Sequence, residues 1–344
     1  MALYQPLTIN KQFSSCIRGL NTFILCITTP ATPPNNANQS GFFIMSNNYN
    51  KPALTVDEQI NLLISRGLNI PDREKASHYL RFINYYRLSG YTISFEQIIN
   101  GKRNHQFKTG TSFDDILALY DFDRHLRILV MDAIERIEVA VRTQICLVLA
   151  TTHNDSHWHL KRELFNADFK YYTLLSKCEA EQLRSKEPFA RHYKKTYDTP
   201  ALLPAWMMTE VLSMGTWSQM YENLTHRQDK KQISDAFKLP PMEFESWLHS
   251  LTYLRNLCAH HSRLWNRQFT ITPKQLKPYN KYFTPNTTFA AQAAMMHLLI
   301  NVISPQSRWT KRLYELIQNH SFIKPTQMGF SSSWQDEIFW EINN

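Results

Sequence analysis

Glycine is scarce, with eight in 344 residues. That argues against nucleotide folds built on glycine turns, and no glycine-rich phosphate loop, GxSxG elbow or HExxH pair occurs. The five cysteines, Cys16, Cys26, Cys146, Cys178 and Cys258, are odd in number and scattered, with no CxxC pair. Such usage reads most naturally as a reduced, cytoplasmic protein with no disulfide framework. No stretch approaches the ~18–20 apolar residues of a membrane span. Acidic residues are missing where it matters most. From 246 to 314 there is no Asp or Glu against nine Lys and Arg, within a chain of net charge +9. A phosphate-rich partner is favoured there.

What is present is helical. Hydrophobic residues make up 43% of the chain, enough for one large or two ordinary cores. No Gly or Pro interrupts 242–272, so one helix is expected between Pro240-Pro241 and Pro273. On a wheel of about 100° per residue, Trp247, Leu251, Leu254, Cys258 and Trp265 share one stripe. Asn256, His260, Arg263 and Arg267 share the opposite one. His261 falls among the apolar positions and reads as a hydrogen-bonded core histidine, with direct chemistry as the rival. Arg255 lies to the side, yet its long side chain can converge with His260.

Arg, Asn and His are the parts needed to cleave RNA without a metal. Imidazole can take the proton of a ribose 2′-OH and return one to the leaving 5′ oxygen. Guanidinium stabilises charge growing on the phosphate, and an amide can orient either partner. A solvated basic helix face explains the same spacing, and both readings stand at this level.

The rest of the chain supports a bundle. Residues 1–45 lack acids, and 28–41 is rich in Thr, Pro, Asn and Ser, as in a disordered extension; 20–27 only faintly imitates a signal peptide. Met45 is a candidate true start. Thr55 to Glu58 forms a capping box, and Pro71 opens a second helix. The 85–91 segment reads as packing for an N-terminal helical pair or as an RNA-stacking face beside Arg87. A short hairpin fits 93–109. Ser112 starts a long amphipathic helix through Leu126, Val130, Ile137, Val141 and Ile145, with Glu138 and Arg142 paired. On it, Asp121, Asp123 and Glu135 either reach a site or face solvent. The HNDSHWH run at 153–159 reads as a polar loop more readily than as a metal site. The basic-aromatic 185–198 segment is an RNA-contacting loop or a solvated connector. Helices are expected over 205–224, 227–237, 288–303 and 306–318, followed by an aromatic tail that docks on the body. Regions 1–45, 46–110, 111–272 and 273–344 follow as extension, N-terminal helices, core, and C-terminal closing helices with the tail.

Arg255-Asn256-x-x-x-His260 resembles the Arg-x4–6-His signature of HEPN ribonucleases. NYYRLSGY at 84–91, with the runs 119–142 and 246–267, resembles the Abi-like (AbiD/AbiF) abortive-infection proteins over roughly 51–340. The resemblance implies an all-α, HEPN-like helical bundle and metal-independent RNA cleavage by Arg255, Asn256 and His260. Arg263, Arg267, Arg87 and His261 would contact RNA, with no metal or cofactor. It also implies a homodimer with a composite active site and a neutralising partner, either a small RNA or a protein. No membrane association is expected. A non-catalytic RNA-binding module of the same fold is the alternative.

Overall fold

The computed structural model describes residues 49, 51–340 and 342. The readings of 1–45, including a start at Met45, lie outside the described residues. From Leu54 onward the chain packs as one unit. It opens with α1 (Val56–Ser65), α2 (Arg73–Ile83) and α3 (Tyr85–Thr92). The Thr55–Glu58 capping box forms as expected. Asn84, at φ 74°, breaks the chain between α2 and α3, and its side chain accepts from the Tyr86 amide.

Then comes the hairpin, β1 (Glu96–Ile99) and β2 (Lys102–Phe107), antiparallel with Ile98 opposite Arg103. The organising element is α4 (Phe113–Thr152), 40 residues and about 60 Å long. Ser112 and Asp115 cap it reciprocally, at 3.2 and 2.8 Å. Its apolar stripe, from Ile116 through Leu126 and Ile137 to Leu149, is fully buried, because α3 and six of the helices that follow all pack on it. Glu138 and Arg142 pair along it.

α5 (Tyr171–Arg184) and α6 (Pro188–Thr196) follow, so the 185–198 segment is largely a helix with Pro188 in its first turn. The single helix expected over 205–224 is two, α7 (Ala205–Val211) and α8 (Met214–Glu222), because Leu212 and Ser213 are extended. Gly215 opens α8 against α10: a Cβ there would sit 3.3 Å from the Thr252 methyl. α9 (Arg227–Asp235) leads to α10 (Pro241–Ala259), α11 (Phe289–Ile303) and α12 (Trp309–Gln318). α11 is apolar nearly all round and is correspondingly buried. The tail docks as expected, with Phe330, Trp334 and Trp340 clustered and buried. The architecture is thus predominantly α-helical. Among the described residues no helix is long and apolar enough to cross a membrane.

Candidate functional site

The helix carrying the motif stops earlier than its sequence suggests. α10 ends at Ala259, not near Thr272. The His261 amide bonds back to the Cys258 carbonyl (3.0 Å) and that of Ser262 to Leu257 (2.8 Å). This is a Schellman close, which wants glycine at the left-handed position. His261 occupies it instead, at φ 56°. The stop has a tertiary cause. Past the turn, the amides of Leu264 and Trp265 donate to one oxygen of Asp123 on α4, at 3.0 and 2.7 Å. A continuing helix could not reach that carboxylate.

Asp123 is fully buried and central to the arrangement. Its other oxygen accepts from the Tyr91 hydroxyl of α3 (2.7 Å) and from the Arg127 guanidinium one turn along α4. Burial pushes the Asp123 carboxyl upward; Arg127, Tyr91 and the two amides pull it back. Three elements therefore meet on one anion. The sequence reading left Asp123 between a site and a solvated face. Its wheel position among Leu119, Phe122, Leu126 and Val130, with Arg127 four residues on, was the available signal of burial.

The motif side chains emerge beside this knot. Asn256 and His260 are exposed, and Arg255 is half-buried. His261 is also exposed, contrary to the core position the wheel assigned it, because the left-handed turn takes it off the helical path. Among the described residues no hydrogen bond or ion pair engages the side chains of Arg255, Asn256, His260 or His261. Arg255 lies near Arg142, which is bonded to Glu138 and to the Thr209 carbonyl (2.9 Å). Burial pulls the Arg142 guanidinium down, Glu210 pulls it back, and Arg255 adds repulsion of like charge.

The other three basic residues each donate to a backbone carbonyl. Arg87 donates to the His261 carbonyl (2.8 Å), Arg263 to the Gly90 carbonyl, and Arg267 to the Arg263 carbonyl (3.2 Å). The first two tie the segment after α10 to α3, and the third braces that segment locally. The off-helix path of 260–267 also means that Arg263 and Arg267 do not share a helical face with Asn256 and His260.

A groove of about 650 Å³ opens next to the turn. α2 contributes Phe82 and Ile83, and α4 contributes Tyr120, Ile128 and Met131. Its polar lining is Arg87, Arg124, Arg127 and His261; none of the lining residues is acidic.

His153 and His157 take separate partners. His153 meets Asp229 (2.7 Å), and His157 meets the Tyr193 hydroxyl and the Leu202 carbonyl, both at 3.1 Å. Burial pushes His159 down to about 4. Among the described residues no group of three or more His, Cys, Asp or Glu is placed to hold a metal ion.

A family model described as Abi-like protein matches residues 78–266. The chain belongs to the Abi-like protein family. The matched region runs from α2 to just past the α10 turn, more than half of the chain. It contains the motif, the Asp123 knot and the groove of this Abi-like protein, and leaves α11, α12 and the tail outside. No curated protein and no solved structure matches the chain.

Proposed function

We propose that this Abi-like protein is a metal-independent endoribonuclease of the HEPN type, acting in the cytoplasm as a toxin-like abortive-infection effector of the AbiD/AbiF kind. One observation carries the reading. Arg255, Asn256 and His260 present uncommitted side chains at one helix end, while Arg87 and Arg263 each place one guanidinium nitrogen on a carbonyl that holds that end in place.

In this reading the His260 imidazole takes the proton of a ribose 2′-OH. The 2′ oxygen bonds to the adjacent phosphorus, and the bond to the 5′ oxygen breaks. Arg255 stabilises the phosphate oxygens as charge builds, and Asn256 orients the phosphate or the imidazole. The leaving oxygen needs a proton, and each chain offers one histidine in the motif. A second copy on a two-fold axis supplies the acid from its own His260. Exposed Val139 and Leu147 on α4 and Trp206 on α7 support such pairing, since α4 also carries Arg142, which feels Arg255 and the Glu210 of α7. A neutralising partner, a small RNA or a protein, would keep the effector silent.

The test compares wild type with His260→Ala and Arg255→Ala for growth arrest on induction, with sequencing of RNA ends. Wild type should yield new 5′-hydroxyl ends; each variant should lose at least about a hundredfold in cleavage with its fold intact. Cleavage that persists in His260→Ala protein would sink the proposal. The second reading, a non-catalytic RNA-binding module, draws on the acid-free stretch 246–314. It predicts RNA that is shifted on a gel but uncut, with affinity falling steeply as salt rises.

A further inference from the structure

The groove beside the α10 turn has apolar walls and a cationic rim, a combination that suits one flat aromatic ring bearing one anionic group. Phe82, Ile128 and Met131 offer apolar surface, and Phe82 is 77% exposed. A ring left open to solvent on a groove wall is a stacking platform for a base.

The charge count limits what can bind. Arg124 is paired with Asp121 at 3.0 Å, and Arg127 with Asp123. That leaves Arg87, with one nitrogen on the His261 carbonyl, and His261 itself as the groups able to meet an anion. This is provision for one phosphate, not for the row of phosphates along a duplex strand. The volume, about 650 Å³, is that of a small-molecule site.

We infer that the groove is a nucleotide subsite: it takes a single unpaired nucleotide of an RNA strand, its base against Phe82, Ile128 and Met131 and its phosphate at Arg87 and His261. Ala259 and His261, the neighbours of His260 on either side, both line the groove. His260 lies between them in the chain and is exposed, so a strand leaving the groove would carry its next phosphodiester past it. The inference rests on reading 255–260 as an RNA-cleaving motif. It adds that cleavage falls beside an unpaired nucleotide and that base preference is set by α2 and α4.

The experiment separates binding from chemistry. A fluorescently labelled 2′-O-methyl oligonucleotide, which lacks the nucleophilic hydroxyl, is titrated into the full chain by anisotropy. Phe82→Ala removes a platform, and Ile128→Trp fills the groove from a half-exposed position. Neither residue is buried, so thermal unfolding should be unchanged, as should that of the distant control Ile338→Ala. Each groove variant should weaken single-strand binding by about tenfold or more, the control should not, and a duplex of the same sequence should compete poorly. Binding of the single strand that ignores both variants, or no binding at low salt, overturns the subsite. So does a change of oligomeric state in either variant, which would make the groove a protein interface. Intact groove-dependent binding together with absent cleavage by wild type would leave the subsite standing and sink the ribonuclease reading alone.

Discussion

At the residue scale, Asp123 outweighs any member of the motif in holding the fold. Replacing it by Ala leaves Arg127 buried and unpaired, and frees the Leu264 and Trp265 amides. Breaking a buried pair by removing one partner costs about 3–5 kcal/mol. Asp123→Ala should therefore show a large drop in the urea midpoint, with Asp123→Asn recovering part of it. An unfolding free energy within about 1 kcal/mol of wild type would remove Asp123 from this role. His261 offers the opposite case. Its left-handed backbone is strained by roughly 1 kcal/mol relative to glycine. His261→Gly should raise the unfolding free energy by about that amount, read as a higher urea midpoint, while removing an imidazole from the groove. A destabilised variant would show instead that the side chain holds the turn.

At the scale of elements, α4 is the part on which the others depend. Its first turn is closed by the Ser112–Asp115 capping box. Ser112→Ala should cost about 1 kcal/mol, read as a lowered thermal midpoint. Because seven helices pack on α4, the loss should appear as one cooperative transition and not as fraying of an N-terminal piece. Separate transitions by near- and far-ultraviolet dichroism would contradict that view. α10 depends on α4 more than on its own sequence. Pro241 opens it from within, but Asp123 of α4 determines where it closes.

At the scale of the whole molecule, buried histidines set the response to acid. His159 and His297 are 2% and 3% exposed, and burial pushes both down to about 4 from an ordinary 6.5. Between those values the unfolded chain binds protons that the native chain refuses. Stability is therefore complete above about pH 6.5 and falls as the pH drops toward about 4, by about 3 kcal/mol for each histidine. Thermal midpoints measured across that window should decline. The decline should be shallower in His159→Phe, since neither His159 ring nitrogen has a hydrogen-bond partner. An equal slope in the variant would assign the acid sensitivity elsewhere.

Much of this molecule was readable along the chain because it depends on near neighbours. Apolar residues at threes and fours specify α4, α11 and the buried side of α10; Thr55 and Ser112 mark helix starts; and Asn256 and His260 fall opposite the core. The rest was decided by residues far apart in sequence. No Gly or Pro announces the end of α10. The helix stops because a carboxylate more than a hundred positions earlier, stripped of water, requires donors, and the amides of Leu264 and Trp265 supply them. Other long-range bonds seat Arg87 on the His261 carbonyl and Arg263 on the Gly90 carbonyl, and the left-handed turn carries His261 out to the groove. A helical wheel counts residues along one axis, and so it cannot report where another helix will bend that axis away.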